Sequence, residues 1–282
     1  VPLSKKLKMR KHLHMGDAQL KPGVPMNHLS WISQYIYDNP VDVFVDAGDF
    51  ADMPSLSFWD RGKLKAEGSR VKADLECVWM GLELLHSDME VPFKAITSGN
   101  HEFRVDRAVE SDSKWEGFLS ENDFWYENYY HKVGKFLEVV TVDSIAYCHF
   151  FQRKNSGKPW GGSMMNRLNK IGYSHVAGHS PGFECLGEFL SNGTQRVGMV
   201  NGACYLHYED YKGPQDNLMH FRGIVVMNEV DGKGGFLPMP ISLEYLCRRY
   251  EGVTLKQFAK QQRKWIYYGK RDNEAMKWLL AT

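Results

Sequence analysis

The chain has 282 residues, 43% hydrophobic and 24% charged, with a formal net charge of +1. That length can bury a full core, and the near-neutral balance excludes a global field that would draw nucleic acid or a lipid surface. No apolar run approaches the roughly 18 residues a membrane helix needs, and the basic start Val1 to Lys8 lacks the apolar segment and cleavage site of a signal peptide, so no membrane partner is expected.

In chain order, residues 1–10 read as a polar lead-in, and Lys11 to Met15 as a first strand running into Gly16-Asp17. Lys21-Pro22-Gly23 closes a loop. From Asn27, a helix-capping residue, Leu29, Ile32, Tyr35 and Ile36 recur at helical spacing until Asn39-Pro40 stops them. Val43-Phe44-Val45-Asp46-Ala47-Gly48-Asp49 is the central strand, and Asp52 follows three residues after its terminal carboxylate. A helix is predicted near 69–88, where Val71, Leu75, Val78, Trp79, Leu82 and Leu85 make one apolar stripe. Val91 to Ile96 is the next strand, opening into Ser98-Gly99-Asn100-His101-Glu102. Residues 103–132 suggest two helices and a loop. Lys135 to Val142, Ser144 to His149 and Gly172 to Ala177 read as a second set of strands, with a Gly/Pro loop from Lys154 to Gly162. Residues 196–206 and 221–227 are strand-like, and the tail from about 254 is helical. With no repeat or linker, one domain over 1–282 is expected, with its motif core at about 11–230 and a helical extension at about 241–282. The five cysteines, odd in number and without C-x-x-C, point to reduced thiols and a cytoplasmic setting.

Apolar runs that open into Asp, Asn or His beside Gly occur at Asp17, Asp49, Asn100-His101 and His179. A buried strand ending this way delivers its side chain where α/β sheets keep their chemistry, and hard oxygen and imidazole donors together suggest a polynuclear metal site. Each segment alone has a plainer reading. Gly-Asp is commonly a turn, Asn100-His101-Glu102 a helix cap, and His149 a satisfied core histidine.

In order, Asp17-Ala18-Gln19, Gly48-Asp49-Phe50-Ala51-Asp52, Gly99-Asn100-His101-Glu102, His149 and Gly178-His179-Ser180-Pro181 resemble the D-x-H, G-D-x-x-D, G-N-H-[DE], lone His and G-H-x-H motifs of the calcineurin-like metallophosphoesterases. Lys21-Pro22-Gly23 and Gly48 to Ser57 also look similar to bacteriophage members, which implies the cytoplasm of a bacterial or phage-infected cell. The resemblance implies an α/β fold of two mixed β-sheets packed as a sandwich and flanked by helices (αββα). It implies hydrolysis of a phosphoester by metal-activated water, with one or two divalent cations that clamp the phosphoryl group. Manganese suits the donors first, with Fe, Zn, Ni or Mg as alternatives. By the same resemblance Asp49 bridges two metals, Asn100, His149 and His179 complete one site, and Asp17 with Gln19 belongs to the other. His101 would protonate the leaving group and contact phosphate with Asn100, and Asp52 would orient His101 or a strand-end amide. Arg104, just after this motif, reads equally as a planar fork on substrate phosphate or as a surface salt bridge.

Two departures fall on one metal: Gln19 stands where the family has histidine, and Pro181 where G-H-x-H ends. That site is then either oxygen-rich and labile or lost, so the site on Asp49, Asn100, His149 and His179 should fill first. His14, His175 and His207 remain open as substitutes. Partners are a phosphoester, with nucleotide and nucleic acid both open, and the sequence carries no sign of oligomeric state. The competing reading is a binding protein on a degenerate phosphoesterase scaffold. Phe50, Phe58, Trp59 and Phe103 read either as base-stacking groups or as core. Arg61, Lys63, Lys65 and Arg70 read either as a track for a polyanion or as a solvated helix face, and Lys256 to Lys264 with Trp265, Tyr267 and Tyr268 either as a single-strand nucleic-acid binder or as a packed amphipathic helix.

Overall fold

A computed structural model describes residues 9–209 and 212–262, with eleven strands and seven α-helices among them. The strands are β1 (Arg10–Met15), β2 (Val43–Asp46), β3 (Phe93–Thr97), β4 (Lys132–Gly134), β5 (Val140–Val142), β6 (Ile145–Cys148), β7 (His175–Ala177), β8 (Phe183–Phe189), β9 (Gln195–Asn201), β10 (Gly223–Val230) and β11 (Leu237–Ser242). The helices are α1 (Asn27–Asp38), α2 (Val71–His86), α3 (Arg104–Ser111), α4 (Met164–Ile171), α5 (Pro214–Leu218), α6 (Leu243–Glu251) and α7 (Leu255–Gln262). One sheet has the order β11-β10-β1-β2-β3-β4, the other β5-β6-β7-β9-β8. Both are mixed: β1 to β4 run parallel, β10 pairs antiparallel with β1 and β11 antiparallel with β10, and β6, β7 and β9 run parallel between antiparallel β5 and β8. This is the two-sheet α/β sandwich that the sequence led us to expect.

The period of two along each strand sorts side chains between two cores. Val43, Val45, Val225 and Met227 join Ile145, Tyr147, Val176 and Met199 between the sheets. Leu13, Phe44, Ile224 and Val226 face the other way and pack with Leu29 and Ile32 of α1, Val78, Leu82 and Leu85 of α2, and Leu246 and Phe258 of α6 and α7. Helix α4 places Met164 on Ala177 and Val200 at the outer face of the second sheet. Burying a side chain such as Leu82 contributes about 1.5–3 kcal/mol, so the α2 stripe alone is a sizeable part of the hydrophobic stabilisation. At the far end of α1, Asn39 donates to the Tyr35 carbonyl from both its backbone and its side chain at 2.9 Å, and Pro40 follows.

Several elements differ from their sequence-based expectation. The strand predicted over Lys135 to Val142 keeps only Val140–Val142, in the second sheet. Lys132–Gly134, just before it, is a strand of the first sheet, and the connecting turn carries Leu137 at φ +66°. Glu138 fixes that turn, accepting the Lys135 N–H at 3.0 Å and meeting Lys132 Nζ at 2.8 Å. Residues 103–132 hold one α-helix, stopped at Asp112, and then only short 3-10 turns. Gly172 caps α4 at φ +91°, so β7 begins only at His175. Strand β11 has two prolines and escapes a sequence reading; it tolerates them because it lies at the sheet edge. Helix α7 packs Phe258 edge-on against Trp31 at 5.2 Å, the packed-helix alternative for the tail. Lys264, Trp265, Tyr267 and Tyr268, like Val1 to Lys8, lie outside the described residues.

Candidate metal centre

Parallel pairing brings the carboxyl ends of β1, β2 and β3 to one rim, and those of β6 and β7 to the facing rim. Asp17, Asp49 and Asn100-His101 follow the first three strands; His149 and Gly178-His179 follow the other two. One donor atom from each of Asp49, His149 and His179 lies within 4.8 Å of the others. His149 Nε2 is 3.4 Å from Asp49 Oδ2, 3.1 Å from Asn100 Oδ1 and 3.2 Å from His179 Nδ1.

These four donors cannot satisfy one another. His149 Nδ1 must donate to the Ala47 carbonyl, 2.9 Å away, because a carbonyl only accepts. The neutral ring therefore turns a lone pair at Nε2 toward a carboxylate and an amide oxygen. Either a proton or a cation has to sit among them, and imidazole, carboxylate and amide oxygen are donors that a first-row divalent metal accepts. Without a metal, the balance falls to protons. Burial works to lower His149, yet the Asp49 and Asp17 charges outweigh it and raise its pKa to about 10. Burial, joined by the charge on His149, pushes His179 down to about 4. Burial works to raise Asp49, but His101 and His149 hold it below the usual carboxylate range.

The backbone is bent to reach this arrangement. Gln19, Asp49 and His179 sit at φ +46°, +52° and +64°, in the left-handed region that costs a non-glycine residue on the order of 1–3 kcal/mol. Glycines flank the ligands because carboxylates crowd them: a Cβ on Gly99 would lie 2.1 Å from Asp49 Oδ1, and one on Gly178 2.7 Å from Asp17 Oδ1. The same oxygens fasten the turns, Asp49 Oδ1 accepting the His101 N–H at 2.8 Å and Asp17 Oδ1 the His179 N–H at 2.9 Å.

The weaker half of the motif set keeps Asp17 and Gln19 beside Asp49. Gln19 Oε1 is buried with no hydrogen-bond partner, and the Gln19 N–H donates to the Asp49 carbonyl at 2.7 Å. A buried amide oxygen left without a partner, on the turn that follows Asp17, is a donor of the kind a hard cation such as Mg or Mn accepts. Burial, with the Asp49 charge adding and the His149 charge opposing, raises the Asp17 pKa to about 8. None of the three substitute histidines belongs to the Asp49–His149–His179 group. His14 stacks on Tyr147 between the sheets, His175 reaches the Tyr173 carbonyl at 3.0 Å, and His207 pairs with Glu209 at 2.6 Å.

His101 stands beside the cluster. Its Nδ1 is 2.7 Å from Asp52 Oδ1, out of line for a hydrogen bond and so an ion-pair contact, and its Nε2 is 3.8 Å from Asp49 Oδ2. Burial disfavours its charge, but Asp49 and Asp52 prevail and raise its pKa. Arg104 turns one nitrogen to the Asp52 carbonyl at 2.6 Å and to its carboxylate at 3.3 Å. His101, Asp52 and Arg104 line a cleft of about 410 Å³, together with Lys21, His207 and Glu209. Of the aromatics singled out by sequence, Phe50 is core, Phe103 stacks on Phe136, and Phe58 and Trp59 are exposed. Arg61, Lys63, Lys65 and Arg70 precede α2 in loops and short turns rather than on a helix face, and Lys65 pairs with Asp60 at 2.7 Å.

Sequence reasoning passed over Glu102, whose buried carboxylate accepts the N–H groups of Asp49, Gly99 and Ala51 at 2.9 Å and the Tyr126 hydroxyl at 3.0 Å. It ties two ligand turns together. Its place in Gly99-Asn100-His101-Glu102 was the available signal.

No family model matches the chain, and no curated protein is similar to it at a significant level. Among solved structures 25 chains match; one of them is 13% identical with a TM-score of 0.37, covering 84% of this chain and 100% of that one. A likeness that loose carries no argument about function. Among the described residues no helix is long and apolar enough to cross a membrane.

Proposed function

We propose that the protein is a metal-dependent phosphoesterase of the calcineurin-like kind, acting on phosphodiesters of nucleotides or nucleic acid. The observation that carries this reading is the convergence of Asp49, Asn100, His149 and His179 from separate strand ends into a donor cluster that only a cation or an extra proton can reconcile. These four residues would hold one divalent ion, manganese first, and Asp17 and Gln19, sharing Asp49, a weaker second. Such an ion draws off phosphoryl charge and makes water acidic enough to attack near neutral pH.

The chain's own groups do the rest. Asp49 and Asp52 keep His101 charged, with Nδ1 against Asp52 and the proton on Nε2 available to the cleft. As water adds to phosphorus and the opposite P–O bond breaks, the bonding pair leaves with the ester oxygen, which takes that proton. Arg104 and Asn100 contribute positive charge and an amide to the phosphoryl oxygens. We further propose a single domain in which α6 and α7 brace α1, consistent with the 2.8 Å bond from Trp31 Nε1 to Glu251.

The test is hydrolysis of diphenyl phosphate, whose phenolate needs a proton to leave, with manganese, with and without His101→Ala. General acid catalysis is worth on the order of 10²–10⁴-fold, and a loss of that size at unchanged metal content is expected. Activity that survives His101→Ala would reject its role. No activity at all from a metal-loaded wild type would favour the degenerate-scaffold reading.

A further inference from the structure

Lys21 carried no site role in the sequence reading, yet the fold places it in the wall of the cleft that holds His101 and Asp52. The β1–β2 pairing does not stop at the ligand turns. It resumes beyond them as a parallel bridge between Leu20 and Ala51, with Leu20 N–H to Phe50 O at 2.8 Å and Asp52 N–H to Leu20 O at 2.9 Å. That register sets Lys21 alongside Asp52 on rigid backbone. Lys21 Nζ is 2.7 Å from Asp52 Oδ2 and 3.6 Å from Glu209 Oε1, while Asp52 Oδ1 faces His101. Glu209 is only 3% exposed and holds His207 Nε2 at 2.6 Å.

The segment carrying that second pair is itself built in. Arg222 donates to the carbonyls of Tyr205 and His207 at 3.0 Å, and the Tyr205 ring lies between its guanidinium, at 4.5 Å, and the His207 ring, also at 4.5 Å. Glu209 is braced in turn by Asn217, which donates to its carbonyl at 3.0 Å and accepts its N–H at 2.9 Å. Two histidine–carboxylate pairs from distant parts of the chain thus meet on one ammonium group.

We infer that Lys21 is a positioning residue: by bridging Asp52 to Glu209 it fixes the carboxylate that aims His101 at the leaving group. Arg104 cannot substitute for it, because its contacts fall on Asp52 Oδ1 and on the carbonyls of Asp52 and Met53. Without Lys21 the Asp52 carboxylate keeps an anchor on one oxygen only and can rotate away from His101 Nδ1. A displacement of about 1 Å in an aligned catalytic group costs on the order of 10²-fold in rate. The inference rests on the phosphoesterase reading and on the leaving-group role of His101.

The test compares bis(4-nitrophenyl) phosphate, whose nitrophenolate leaves without a proton, with diphenyl phosphate, whose phenolate needs one. In the manganese-loaded full chain, Lys21→Met should lower kcat on diphenyl phosphate by about 100-fold and on the nitrophenyl ester by less than about 5-fold. KM and bound manganese should stay as in the wild type. Lys21→Arg should recover most of the loss, and Glu209→Gln should show the same split with a smaller amplitude. Equal losses on both esters, or loss of manganese along with kcat, would overturn the inference while leaving the function standing. A wild type inactive on both esters would overturn the two together.

Discussion

Glu102 gives the sharpest prediction about how the centre is held. Glu102→Gln is nearly isosteric, so it leaves packing alone and changes only hydrogen bonding. The carboxylate accepts from four donors: Asp49 and Gly99 N–H at Oε2, and Ala51 N–H and the Tyr126 hydroxyl at Oε1. Glutamine must turn an NH₂ toward one of these pairs. Facing Asp49 and Gly99 it would oppose two fixed N–H groups. Facing Ala51 and Tyr126 it would oppose one, since the tyrosine hydroxyl can turn and accept. The second orientation wins, leaving one buried N–H unpaired at about 1–3 kcal/mol and weakening three charge-assisted bonds. A loss of about 2–4 kcal/mol follows, a large part of a typical stability of 5–15 kcal/mol. Urea unfolding should show it as a lower midpoint at unchanged slope, and manganese titration as weaker binding, because the Asp49 and Gly99 turns share this clamp. A change under about 0.5 kcal/mol would refute the argument.

Three further outcomes are expected. Asp52→Asn removes the charge beside His101 Nδ1, and should lower turnover on diphenyl phosphate by on the order of 10²-fold at unchanged metal content, read by steady-state kinetics. Burial pushes the His14 pKa down to about 3, so the folded state keeps it neutral while the unfolded chain binds a proton below about pH 6.5; stability is therefore lost as pH falls. Between pH 7 and 5 that share is about 2 kcal/mol, and His14→Phe, stacked likewise on Tyr147, should reduce the pH dependence of the urea midpoint by this amount. Because Asp49 keeps His149 protonated against the pull of burial, with a pKa raised to about 10, manganese binding near pH 7.5 should release about one proton from this imidazole, measurable by calorimetry in buffers of different ionisation enthalpy.

What could be read from the sequence was whatever depends on local pattern. Strands such as Val43–Asp46 show as apolar runs, and α2 shows as a stripe at helical spacing. Asp49, Asn100 and His179 stood out because each follows a strand and neighbours a glycine that a carboxylate or backbone crowds. The rest depends on partners distant in the chain. Glu102 looks like any acid after a histidine until three N–H groups surround it. Lys21 and Glu209 are 188 positions apart, and only the continued ladder and the Arg222 brace bring them together. Strand β11 was hidden by its own prolines, which only its edge position permits.

The metal centre is tested most directly by the anomalous scattering map of crystals grown with manganese. A strong peak is expected within coordination distance of Asp49, Asn100, His149 and His179, and a weaker peak or none on the side of Asp17 and Gln19. A map without a peak among those four residues, or with manganese bound only elsewhere, would contradict a metal-dependent phosphoesterase built on them.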